Sequence, residues 1–416
     1  MPRTARLLPQ GAGIRFRVFP QSRAARGFRE PEVLLIAESH GPIRTGPQDD
    51  IVHVLDAVDK DPYRDDRTGE YRAYPPYRGL VRPPVSPGPD GHFDHVRAGT
   101  REFSAASMFA TVRYIRAVWE HHLGGPLDWW FRYAYPRVEI IPRVNSQVGW
   151  SGVGFVECGY PRLGDGPEGR PDLRDPFSDN FDIVAHETGH ILLKTLIGDP
   201  FPHRKPFEYR AHEEASADLI ATLSSLYFDS VVDELLTRTH GNLFGSNTLS
   251  RFGELRIPRS PTEREVRTLF NRETMASVRR TMAREGREPH RYGVPFGGAV
   301  FDLLVELYEH SLVRHRLIPA SLARRSRNSR SAAPALTRQF ARCYTGAEAG
   351  FKDALLDARD TLGRLLARTW DATSPHGLTF RRVVANLIAE DRRLNGGAHV
   401  ALIRRLFRAR GIAVSR

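Results

Sequence analysis

The sequence predicts an α+β fold, and two contrasting textures along the chain carry that expectation. Residues 1–99 hold short apolar runs, such as 33–37 and 51–55, set among many prolines and glycines, as strands joined by long loops require. After residue 230 the apolar residues recur every three or four positions, so that part reads as predominantly helical. A chain of 416 residues exceeds what one core usually organises. The expected division is a β-containing amino-terminal extension over 1–99, a central domain over 100–230 and a helical carboxy-terminal domain over 231–416.

Segments 71–90, rich in Pro, Arg and Tyr, and 159–176, rich in Gly and Pro, read as irregular. Over 103–123 the spacing of Phe109, Val112, Ile115 and Trp119 predicts a helix that Gly124, Gly125 and Pro126 stop. A strand is expected over 138–141, and 152–156 alternates small and apolar residues as an edge strand does. Residues 183–197 predict a helix stopped by Gly198 and Pro200. A second helix over 208–228 carries the stripe Ala211, Ala215, Leu219, Thr222 and Leu226. Further helices are expected over 300–308, 351–369, 380–391 and 399–408.

Composition is that of an ordinary folded protein, with 40% hydrophobic and 26% charged residues, which excludes collagen-like and disordered classes. The net charge of +12 is almost all arginine, since Lys60, Lys194, Lys205 and Lys352 are the only lysines. This skew reads as a bias spread over the whole chain, and the densest stretch, 314–330, as a solvated loop rather than its alternative, an acidic or nucleic-acid contact; nucleic acid is therefore not an expected partner. Cys158 and Cys343 form no metal or disulfide spacing. Residues 1–20 lack the apolar run of a secretory signal and no stretch approaches eighteen apolar residues, so cytoplasmic residence without a membrane partner is the expectation, with non-standard export the alternative.

Chemistry concentrates in one helix. His186, Glu187 and His190 form the pattern HExxH, and residues four apart on a helix stand on one face, so both imidazoles can converge on one ion. Zinc held by three protein groups keeps a fourth position for water and makes its proton labile. Glu187, at the border of that face, is placed to take the proton as general base. Leu193 and Leu196 occupy the places where HExxHxxGxxH would need its further residues, so the third ligand lies elsewhere. Glu214 follows His190 by 24 positions and opens the run Glu214–Asp218 as ExxxD on the second helix. A chain reversal would bring Glu214 onto the metal, with Asp218 one turn later accepting the free N–H of a ligand histidine. Glu213 is the rival ligand, though choosing it forfeits the ExxxD partner.

HExxH followed by ExxxD resembles the gluzincins, above all the thermolysin-like and fungalysin-like peptidases. The specific match covers roughly 181–228. The resemblance implies a zincin-like catalytic domain, Zn2+ as cofactor, a peptide or protein substrate, and metal in a cleft between a mixed lobe and a helical lobe. It further implies an upstream edge strand that pairs with extended substrate, near Asn145 and 152–156, and a histidine or tyrosine that stabilises the oxyanion. His290 and Tyr292, ahead of a helix expected to begin near Gly297, are the candidates. His121 and His122 are expected to cap helix carbonyls, while His203 and His212 are weaker candidates for a role near the site. Two alternatives share these residues: a zinc-stabilised binding protein without turnover that uses its basic surface, and a metal hydrolase acting on a non-peptide amide.

Overall fold

The computed structural model describes residues 4–9, 11–23, 25, 27–65, 68–163, 170–200, 205–251, 268–329 and 334–414. His203 lies outside the described residues.

The architecture is α+β, with little strand and much helix. Strands β1 (Ile14–Val18) and β2 (Glu32–Ile36) form an antiparallel pair, Phe16 opposite Leu34. A four-stranded sheet follows from β3 (Val52–Val54), β4 (Val138–Ile141), β5 (Gly149–Gly152) and β6 (Phe155–Cys158), in the order β3-β4-β6-β5. Strands β3, β4 and β6 run parallel, and β5 is antiparallel to β6 at the end of the sheet. A two-residue pair, β7 (Arg162–Leu163) with β8 (Arg170–Pro171), completes the strands.

The helices are α1 (Arg101–Leu123), α2 (Phe181–Ile197), α3 (Phe207–Ser225), α4 (Asp229–Thr239), α5 (Met275–Glu285) and α6 (Pro289–Arg314). They continue as α7 (Ala320–Ser329), α8 (Pro334–Tyr344), α9 (Glu348–Asp371), α10 (Phe380–Asn395) and α11 (Val400–Ala409). One continuous apolar cluster runs from Ala5 to Ile412 through all three sequence segments. Among the described residues, no helix is long and apolar enough to cross a membrane.

Strand alternation divides the sheet into two faces. Val138, Ile140, Val156 and Cys158 join the large core, where α1 and α2 pack. Ile141 and Phe155 face the other way, under Tyr63 and Ala57. Two carboxylates on that second face are covered by the irregular chain before α1. Glu157 accepts from Lys60 Nζ at 2.8 Å and from the Tyr63 N–H at 2.7 Å, and Glu139 accepts from the Tyr63 hydroxyl at 2.6 Å. Burial pushes the Glu157 carboxyl up to about 7, against the pull of Lys60.

Local chemistry explains the ends of the helices. Thr100 caps α1 by accepting from the Phe103 N–H, and Gly124 ends it at φ 74, a conformation cheap only for glycine. Glu288 caps α6 by accepting from the backbone of His290 and Arg291, and Pro289 takes the first helical position, where no N–H is needed.

Four expectations are corrected. The edge strand is Gly149–Gly152, not 152–156, because Gly154 at φ 84 turns the chain and delivers Phe155–Cys158 into the sheet interior. Helix α6 begins at Pro289 rather than near Gly297, so His290 and Tyr292 belong to its first turn. Within the stretch 314–330, Ala320–Ser329 is the helix α7, which buries Leu322, Ala323 and Ser326 along one side. His122 caps nothing: it is buried against Gly363 and Tyr227, and burial pushes its pKa down to about 3.

Arg113 of α1 and Asp49 are both buried and paired, and Asp49 also accepts from the backbone of Ile51 and Val52. Removing the carboxylate alone strands a buried guanidinium. Asp49→Ala is expected to lower the unfolding free energy by about 3–5 kcal/mol in urea titration, and Asp49→Ala with Arg113→Met to recover part of that loss.

Candidate metal centre

The site rests on the contact between α2 and α3. Asn180 starts α2 by accepting from the Asp182 N–H, and the Gly198 N–H closes it on the Lys194 carbonyl. Apolar residues hold the helix inside the protein, and His186 and His190 project from it one turn apart. Glycine at position 189 lets α3 approach closely. A Cβ there would lie 2.9 Å from Ala217 Cα and 3.1 Å from its carbonyl oxygen, contacts that only displacement of a helix would relieve.

This approach brings three donor atoms together. His186 Nε2 and His190 Nε2 are 3.1 Å apart, and Glu214 Oε2 lies 3.6 Å from each. Ligands about 2.0–2.2 Å from a tetrahedral ion are separated by roughly 3.3–3.6 Å, so the triangle has the dimensions of a metal-ligand set. His186, Glu187 and His190 also offer ligand atoms within 4.8 Å of one another, a buried group that could hold a metal ion. The two possible carboxylates differ in surroundings. Glu187 accepts from Ser151 Oγ of β5 at 2.8 Å, whereas Glu214 points at both imidazole Nε2 atoms.

Behind the histidines stand further carboxylates. His186 Nδ1 is 2.8 Å from Asp218 Oδ1, which puts the proton on Nδ1 and leaves the Nε2 lone pair facing the cluster. His190 Nδ1 is 3.3 Å from Glu213 Oε1. Glu213 therefore stands on the far side of the His190 ring from Glu214. Lys194, one turn beyond His190, meets Glu213 at 2.6 Å.

Burial works to raise the carboxyls of Glu213 and Glu214, yet hydrogen bonds and charges around them overcome it. Lys194, His190 and Lys205 hold Glu213 well below the usual carboxylate range, and His290, His190 and His186 do the same for Glu214. Both are ionised in this setting.

Helix α6 brings one more imidazole to the cluster. Gly293 permits the packing, since a Cβ there would lie 2.5 Å from the Ala211 carbonyl oxygen of α3. His290 Nε2 is 2.9 Å from Glu214 Oε2, and its Nδ1 is paired with Glu288. Burial works against ionisation of Glu288, but His290 and the backbone N–H groups hold it down to about 2.

Tyr292 is placed elsewhere. Its ring stacks on Phe380 and leans on Phe207, and its hydroxyl accepts from Arg279 at 3.2 Å, because two residues along a helix from His290 the side chain points to another face. His212 is also turned away, buried among Phe296, Trp370 and Phe380, and burial lowers its pKa to about 3. Asn145 is exposed in the connection before β5.

The sequence reading missed four contributors. Ser151 carries no local signal. Glu288 before Pro289 is a recognisable helix start, Lys194 repeats the four-residue spacing of the histidines, and Gly189 with Ala217 is a pair of small residues inside the two motifs.

Fold and site together define an α+β protein with a buried His-Glu-x-x-His centre able to hold a metal ion. No protein-family profile matches the sequence, and no curated protein matches it.

Two outcomes follow. Gly189→Ala is expected to keep helical content by circular dichroism yet lower the metal content of purified protein, measured by plasma mass spectrometry. Asp218→Ala should weaken metal binding about 10–100-fold in competition with a chromogenic chelator.

Proposed function

We propose that the chain is a zinc-dependent peptidase of gluzincin type, with His186, His190 and Glu214 as metal ligands and Glu187 as general base. The observation that carries the reading is the triangle of two Nε2 atoms and one carboxylate oxygen, with a separate carboxylate, Glu187, beside it. Two neutral imidazoles and a carboxylate, each backed by another polar group, are the donor chemistry zinc favours. A zinc ion held there would supply Lewis acidity and a water whose proton is easily lost.

The protein's own groups do the rest. Glu187 takes the proton of the attacking water and later passes it to the leaving amine, while the Ser151 hydroxyl fixes the direction of its carboxylate. His290 donates from Nε2 to the oxyanion that develops on the peptide carbonyl, with Glu288 holding the ring by Nδ1. Asp218 and Glu213 orient the two ligand imidazoles.

Strand β5 is the substrate-binding edge in this scheme. It ends the sheet, and Gly149 lies directly over Ile183 and Glu187 of α2, where a side chain would crowd both. An extended peptide added to that edge would pair through its backbone, next to the base.

Glu187→Gln is expected to retain the metal and lose cleavage of a mixed peptide library, read by mass spectrometry. Equal cleavage by the variant removes Glu187 as base, and absence of chelator-sensitive cleavage in the wild type leaves the metal a structural role. Glu214→Ala should lose metal, whereas Glu213→Gln should largely keep it. His290→Ala should lower kcat about 10²–10³-fold with metal still bound.

A further inference from the structure

The positive charge is not spread evenly along the chain. Residues 311–416 contain 21 Lys and Arg against 7 Asp and Glu, a net of +14, whereas residues 1–310 contain 40 against 42. The last quarter of the sequence therefore carries more than the whole net charge of +12. A uniform compositional bias would have charged the rest of the chain in proportion.

The fold collects part of this charge on one surface. Arg327 of α7 and Arg405 of α11 both reach Glu306 of α6, so the two helices flank the same stretch of α6. Arg324 stands one turn before Arg327, and Arg408 stands one turn after both Arg404 and Arg405 on α11. Arg324, Arg405 and Arg408 are exposed, and neither Arg324 nor Arg408 has an ion-pair partner among the described residues. Glu309, the other acid at this place, contributes little compensation, because burial pushes its carboxyl up to about 8. His310 lies within the same field, facing Arg327, Glu306, His399 and Arg405.

The chemistry of the surface narrows the partner. Guanidinium groups pair with phosphate oxygens in a planar fork, and every basic residue in 311–416 except Lys352 is arginine. A protein partner, or a membrane entered by insertion, would call for apolar side chains to bury. Among the described residues, Leu394 is the only exposed large hydrophobic residue in this part of the chain.

We infer that the α7 and α11 surface around Arg324, Arg327, Arg404, Arg405 and Arg408 binds the phosphodiester backbone of nucleic acid. Binding is read through phosphate rather than bases, so it is tolerant of sequence and falls steeply with salt. The surface lies far from the metal centre. Glu306 stands sixteen positions after His290 on α6, about 24 Å along the helix axis.

The test uses the full chain and fluorescence anisotropy with a labelled DNA duplex of about 20 base pairs, in parallel with RNA of the same length, across a salt series. Arg324→Gln, Arg404→Gln and Arg408→Gln are combined, sparing the two arginines that neutralise Glu306. The triple variant is expected to weaken binding about tenfold or more near 100 mM salt and to reduce the salt slope by about 3. A control that neutralises the exposed Arg78, Arg82 and Arg97 should bind like the wild type. Binding to DNA, RNA or both with this pattern supports the assignment. It is overturned if neither nucleic acid binds at about 50 mM salt, if the triple variant binds as tightly as the wild type, or if phosphatidylserine vesicles bind where nucleic acid does not.

Discussion

The distance between α2 and α3 governs the rest of the candidate metal centre. Gly189 sits against the backbone of Ala217, and that contact sets how far Glu214 and Asp218 stand from His186 and His190. A donor set for one ion tolerates only a few tenths of an ångström of error. The two small residues thus act on the chemistry without touching it: they let one helix supply the imidazoles and another supply the carboxylates at a spacing near 3.1–3.6 Å. Helix α6 repeats the device, with Gly293 against the Ala211 carbonyl, and delivers His290 to Glu214.

So many ionisable groups could not be buried together unless each were answered. Isolated charges in such a place would cost several kcal/mol apiece. Here Lys194 answers Glu213, the histidines answer Glu214, Asp218 supports His186, and Glu288 supports His290. The result is a layered arrangement in which polar groups behind the cluster hold the rings that face it. Strand β5 adds the last piece, since Ser151 holds Glu187 apart from the triangle of donors and leaves the sheet edge beside it.

Much of this was legible in the chain because it depends on local periodicity. The spacing of His186 and His190, the helix stop at Gly198, the strand at Val138–Ile141 and the helices around Phe351 and Phe380 follow from repeats of 3.6 or 2 residues. The misreadings arose where one local pattern hid another. At 152–156 an alternating pattern concealed a turn at Gly154, and ahead of Gly297 the glycines of α6 obscured a helix that Glu288 and Pro289 had already started. In 314–330 the arginines masked the buried side of α7.

By itself the sequence determined that two imidazoles would share a helix face, with a glutamate between them and an acidic pair on a following helix. These are consequences of the residue order and of helical geometry alone. Which acid of that pair faces the imidazole Nε2 atoms, which residue near 290 reaches the cluster, and which strand forms the edge were decided by tertiary structure. Those outcomes depend on the rotation and separation of packed helices, which close contacts such as Gly189 on Ala217 and Gly293 on Ala211 impose and no short stretch of sequence contains.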